Sequence, residues 1–162
     1  QIGTLTDLAV KFLSIRPRSE KEVKDYLAEK IATKNEIKFS DAQKSPLIDQ
    51  VIKKLKHYKY INDEEFAKWL LNSRLKSASP RSLRLIKAEL NLKGISPEIV
   101  EIVSQKTPNE SEQAKKALSK KIKRWEKLKA LEFKKKAYSY LLSRGFDFDS
   151  VKDAVAFYSK KR

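Results

Sequence analysis

Two arginines, Arg81 and Arg84, stand one helical turn apart in "SASPRSLRLIKAELNLKGI" (77–95), directly after Arg74 and Lys76. Guanidinium groups so placed suit a phosphate or a carboxylate, because each offers a planar fork of N–H donors that matches two oxygens. Lys93 closes the same stretch beside Gly94. A second set of cations follows in "ESEQAKKALSKKIKRWEKLK" (110–129). There Lys116, Lys120, Lys123 and Lys127 fall at i, i+4, i+7 and i+11, the spacing of one stripe along a helix, and Arg124 adds to them. Apart from Glu126 no acid follows Glu112 in this stretch, whereas a solvated helix face normally intersperses acids one turn away. Lys134, Lys135 and Lys136 carry the charge into the next helix. Contact with a polyanion explains these residues better than solubility alone.

Other chemistry is thinly represented. His57 stands alone in "LKHYKY" with no Cys or second His, and it reads as a helix-end or surface residue. There is no glycine-rich phosphate loop and no Ser or Asp in a recognisable nucleophile setting, so an enzyme is not expected, nor a cofactor or metal. "NDEEF" (62–66) gathers three carboxylates, which in a first helical turn face the positive end of the dipole and read as capping. Trp69 and Trp125 fall at core spacing and are expected to pack, while Tyr138 and Tyr140 lie on opposite sides of a helix, with one expected at the surface.

The charge balance sets the first functional expectation. Lys and Arg number 37 against 21 Asp and Glu, a formal charge of +16. Residues 1–61 carry +5, residues 62–108 carry +2 and residues 109–162 carry +9. Such an excess exceeds what solubility requires and points to a polyanionic partner, nucleic acid first, a membrane surface or an acidic protein groove next. Absence of Cys excludes disulfides, thiolate zinc sites and cysteine nucleophiles, and it fits a reducing compartment. No apolar run approaches the roughly 20 residues that span a bilayer, and Gln1 to Phe12 lacks the apolar stretch of a signal peptide. A cytoplasmic protein is expected. The sequence has no Met, and a native start upstream of Gln1 is expected.

The elements that must position these cations are helical. Only three glycines and five prolines leave little material for the turns of a sheet protein, and helix formers dominate. Apolar residues recur at helical spacing in nine segments, from Leu5, Leu8 and Phe12 to Val151, Ala154 and Val155. Ser19 with Glu22 forms a capping box, Asn62-Asp63 and Ser79-Pro80 open helices, Ser96-Pro97 places proline at a first helical position, and Gly94 and Gly145 stand where left-handed C-caps belong. "LKGISPEIVEIV" (92–103) echoes "SRGFDFDSVKDAV" (143–155): a basic residue, Gly, an apolar residue, a cap, then a helix. The echo implies a repeat of three helices. The expected division is 1–61 with an enlarged loop at 32–47, then 62–108, then 109–162. Units this small must share interfaces, so an elongated, curved array is expected.

At this point the sequence resembles the RecX family, regulators that bind filaments of the bacterial RecA recombinase. The resemblance rests on "RPRSEKEVKDYL" (16–27), "YINDEEFAKWLLNSRL" (60–75), "SPRSLRLIKAELNLKGI" (79–95) and "YLLSRGFDFDSV" (140–151), in the family's order. Two departures stand out: a longer, glycine-free loop replaces the usual Lys-Gly-Phe turn after the second helix, and Asn62 stands where aspartate is common. The resemblance implies three tandem three-helix repeats lying in the groove of a RecA–DNA filament. There the protein would bridge protomers, touch single- or double-stranded DNA through phosphates, and suppress strand exchange and ATP hydrolysis. It implies a monomer that needs neither cofactor nor membrane. A helical nucleic-acid binder without a recombinase partner, or a scaffold for an acidic protein, are the alternatives from composition alone.

Overall fold

The computed structural model describes residues 1–162 and is all-α. Ten helices run in order: α1 Ile2–Ile15, α2 Glu20–Asn35, α3 Phe39–Ala42, α4 Pro46–His57, α5 Asp63–Leu75, α6 Leu83–Leu92, α7 Pro97–Ser104, α8 Glu110–Ile122, α9 Ala130–Ser143 and α10 Phe148–Ser159. The helix beyond the nine expected is α3, a single turn inside the enlarged loop. It buries Ala42 and is too short to show an apolar period.

Helix starts follow local chemistry. At α2 the Ser19 hydroxyl accepts from Glu22 N (3.2 Å) while Ser19 N donates to Glu22 Oε2 (3.0 Å), so two otherwise unpaired donors are satisfied reciprocally. Asn62 Oδ1 accepts from Glu65 N at the head of α5, and Asp147 Oδ1 from Ser150 N (2.7 Å) at the head of α10. Asp63 does more than face its own helix: its carboxylate accepts from Glu20 N (2.8 Å), a first-turn amide of α2. The opening of α6 differs from expectation. Ser82 rather than Ser79 caps it, taking Leu85 N on its hydroxyl (3.3 Å) and Ile86 N on its carbonyl (3.1 Å). Ser79 precedes a proline, which disfavours helical backbone there, and Pro80 and Arg81 run in before the first turn.

Four helix ends, those of α2, α4, α6 and α9, share one device. Glu36, Lys59, Gly94 and Gly145 all take positive φ, at 53°, 61°, 77° and 86°. After α9, Gly145 N bonds Leu142 O (3.0 Å) and Phe146 N bonds Leu141 O (3.3 Å), and after α4, Lys59 and Tyr60 do the same with Lys56 and Leu55. These paired bonds satisfy carbonyls that a helix end leaves open. The echo noted in the sequence is thus real in the backbone: Ile95 and Phe146 follow the two glycines into the interior, and Ser96 and Asp147 then cap α7 and α10.

The chain divides into two compact units, Gln1–Trp69 with Asn91–Ile99, and Leu70–Leu90 with Val100–Arg162. The first is built on Leu5, Ala9, Val23, Leu27, Ile48, Val51, Ile52 and Leu55 from α1, α2 and α4. The second has Leu118, Phe133, Ala137, Leu141, Phe146, Val151 and Val155 from α8, α9 and α10. Burying each of the larger of these side chains, the Val, Leu, Ile and Phe, contributes about 1.5–3 kcal/mol, which is why the apolar period alone suffices to write the helices. Both tryptophans pack as expected, Trp69 beside Phe66 and Trp125 edge-on to Tyr140. Neither Tyr138 nor Tyr140 is left at the surface: Tyr138 leans on Phe148 and both are half-buried.

The lysine-rich helix is shorter than its charge pattern suggests. α8 stops at Ile122, and residues 123–128 continue as turns from which Trp125 packs against the core. Trp125 N is shared between Lys121 O (3.0 Å) and Ile122 O (3.2 Å), the tightening of a final turn. Arg162 supplies donors to the carbonyls so exposed, those of Trp125, Glu126 and Leu128. Lys116 and Lys120 therefore share a helix face, whereas Lys123, Arg124 and Lys127 belong to the turn beyond it.

Candidate nucleic-acid interface

The second unit holds 22 Lys and Arg against 9 Asp and Glu, a net charge of +13, while the first holds 15 against 12, a net of +3. All the cations singled out in the sequence except Lys93 lie in the second unit. Lys76, Arg84, Lys116, Lys120, Lys123, Arg124, Lys127, Lys134, Lys135 and Lys136 are exposed there. Few of them are engaged: Lys116 Nζ donates to Leu75 O (3.2 Å) and Arg84 Nη2 reaches Gly145 O (3.4 Å).

Lys93 is placed differently. It follows α6 in the first unit, and its ammonium lies 3.0 Å from Glu22 Oε1, which also takes Arg16 Nη2 at 2.6 Å. Burial pushes the Glu22 carboxyl up, and the hydrogen bonds from Arg16, Ser19 N and Lys93 outweigh it and hold that carboxyl below its usual range. Lys93 thus serves a structural ion pair.

Arg74 and Arg81 converge on Glu89. Arg74 Nε and Nη2 grip the carboxylate side-on at 3.0 and 2.6 Å, and Arg81 Nη1 approaches it at 3.7 Å. That bidentate bond raises Arg74 further above its ordinary value. Beside them is an open polar recess of about 310 Å³ lined by Ser73, Arg74, Ser77, Ser79, Arg81 and Arg144. Arg144, in the turn after α9, is the residue that sequence reasoning missed: its guanidinium bonds Ser79 O, and its backbone carbonyl accepts from Ser82 N (3.1 Å). The signal was present in the echo, where Arg144 holds the position of Lys93 ahead of the glycine. Three guanidiniums and three serines around one recess can hold an oxyanion through charge-assisted hydrogen bonds.

Family models match at two places, the RecX first three-helix domain over residues 7–38 and the RecX third three-helix domain over residues 109–155. A regulatory protein RecX of Finegoldia magna is 31% identical over 162 residues, covering 98% of this chain and 73% of the relative. The chain belongs to the RecX family. Regulatory proteins RecX of Bacillus pumilus and Bacillus subtilis are 36% and 32% identical over 149 residues, 91% of this chain and 52% of theirs. This RecX-family chain therefore spans about half the length of those Bacillus relatives. In structure it resembles RecX from Lactobacillus salivarius, with a TM-score of 0.73 over 99% of this chain and 97% of that one at 23% identity, which shows a shared fold. A second regulatory protein RecX gives 0.70 over 99% and 73% at 19% identity. What the family shares with this chain is an architecture of three-helix domains, and no helix in it is long and apolar enough to cross a membrane.

Proposed function

We propose that this RecX-family chain regulates homologous recombination by binding in the groove of the RecA–DNA filament and inhibiting strand exchange and the ATP hydrolysis that RecA carries out. It acts as a monomer without a cofactor, through three sequence repeats at 1–61, 62–108 and 109–162, a division distinct from the two compact units of the fold. The observation that carries the reading is the concentration of +13 in one unit with most of its cations at the surface and unpaired to carboxylates. Charge so distributed fits a ligand with many phosphates, because each neutralised phosphate releases a counterion and adds to affinity without reading a base. Occupying a groove and bridging protomers needs no catalytic group, in keeping with the scarcity of catalytic chemistry in the sequence.

Co-sedimentation with preformed filaments, RecA alone and DNA alone, across a salt series, tests it. The chain should pellet with filaments at concentrations where naked DNA retains little of it, and added salt should release it steeply. Equal retention by naked DNA and filaments would instead make it a stand-alone nucleic-acid binder, and retention by neither would reject both.

A further inference from the structure

The exposed lysines account for diffuse binding, but the recess at Arg74, Arg81 and Arg144 has a more definite construction. No carboxylate lines it. Glu89 lies behind two of its arginines and is mostly covered, its side chain 19% exposed, whereas Arg81 is 48% exposed and holds that carboxylate only loosely at 3.7 Å. Arg144 Nη2 is anchored on Ser79 O, and the buried Nε of Arg144 has no acceptor within the protein. The Ser77 hydroxyl accepts from Ser79 N (3.4 Å), which leaves its own hydrogen to donate. Donors are thus plentiful at the recess, and the carboxylate that balances them stands behind it.

We infer that this recess holds a single backbone phosphodiester of a nucleic-acid strand, with Arg81 and Arg144 as the direct donors and Glu89 as a positioning residue. Glu89 fixes the Arg74 fork, and its negative charge also weakens the site for an anion, so one side chain both shapes the recess and limits its affinity. The inference rests on the reading of the chain as a nucleic-acid binder and gives that binding an anchor point. Glu89→Gln separates the two roles, since the amide keeps an oxygen for Arg74 while removing the charge.

The test follows the arginine Nε–Hε resonances of the intact chain as inorganic phosphate replaces chloride at constant ionic strength, and then as a thymidine oligonucleotide is added. Signals of Arg81 and Arg144 should shift along a saturating curve, and the oligonucleotide should saturate them at a lower phosphate-group concentration. Glu89→Gln should tighten the phosphate curve about threefold, the scale of one partly exposed charge, and Arg81→Gln should loosen it. Arg81 precedes α6 and lies at the surface, so that variant keeps the fold should Arg144→Gln lose it. Non-saturating shifts, a site that answers phosphate but not the oligonucleotide, or a Glu89→Gln curve no tighter than wild type each overturn the inference. A chain that passes these titrations yet ignores filaments rejects the filament reading and keeps the recess.

Discussion

Gly145 passes so close to Leu85 that a Cβ built on it would stand 2.4 Å from the leucine Cγ, and 2.6 Å from Ser82 Oγ. The turn after α9 is thereby seated on the first turn of α6 in the same unit, and Arg84 Nη2 reaches the Gly145 carbonyl from that turn. Gly145 also holds φ at +86°, so a side chain there meets both backbone strain and a collision.

Gly145→Ala should therefore cost about 2–4 kcal/mol, from left-handed backbone plus overpacking. Gly3→Ala, with nothing within 4 Å of the added carbon, should cost nothing. Urea denaturation midpoints of the two variants decide it, and equal midpoints would show that Leu85 gives way to the added carbon.

Glu36 makes the converse prediction. It occupies the left-handed position after α2 at φ 53°, with Ile37 N closing on Ala32 O (3.1 Å). Glu36→Gly relieves the strain while raising the entropy of the unfolded chain, and a net gain of about 0.5–1 kcal/mol is expected. A thermal midpoint unchanged or lowered by Glu36→Gly would mean that the Glu36 side chain contributes more than its backbone costs.

Glu110, at the head of α8, gives a pH signature. Burial, then the hydrogen bond and charge of Asp147, push its carboxyl from an ordinary 4.5 up to about 7, with Arg84 pulling weakly the other way. The folded chain therefore binds a proton between those values that the unfolded chain releases. That contribution is fully present below about pH 4.5 and is lost as pH rises through 7. Asp147 behaves oppositely: the bond from Glu110 and the amide of Ser150 hold it below its usual range, and its contribution is lost only in acid. Glu110→Gln should leave stability near pH 5 little changed and raise it relative to wild type near pH 8. Parallel curves for variant and wild type across that range would refute the assignment.

Charge reversal distinguishes the units. Lys21 is 2.7 Å from Asp25 and Lys24 3.0 Å from Glu20, so those cations are already offset, whereas Lys120, Lys123 and Lys127 are exposed, with no carboxylate within 4 Å. Near physiological salt, where screening acts over about 8 Å, reversing the latter three to Glu should weaken DNA and filament binding more per residue than reversing Lys21 and Lys24. Each phosphate that a variant no longer neutralises should lower the logarithmic salt slope by about 0.7 on single strands. Equal weakening by the two sets would mean that the partner senses total charge alone.

Much of this protein is written in its sequence because helices are local. An apolar residue every three or four positions, Ser19 with Glu22, Asn62 and Asp147 as caps, and Gly94 and Gly145 as stops all act within a few residues of one another, so the all-α fold and the echoed turns are legible without a third dimension. Charge is legible too, since +16 survives any folding. What the tertiary structure alone decided is which cations remain available. Lys93 and Arg74 read as surface charge, yet Glu22 lies 71 residues from the one and Glu89 15 residues from the other, and no period links them. The end of α8 at Ile122 was equally hidden, because neither Gly nor Pro marks it. It is set by Trp125 turning to the core and by Arg162, 37 residues on, meeting the freed carbonyls. Arg144 became part of a recess only when the turn after α9 met the segment before α6. Side-chain type and spacing fix what each helix offers, but ion pairs and recesses depend on distances across the fold, which packing sets and sequence order does not.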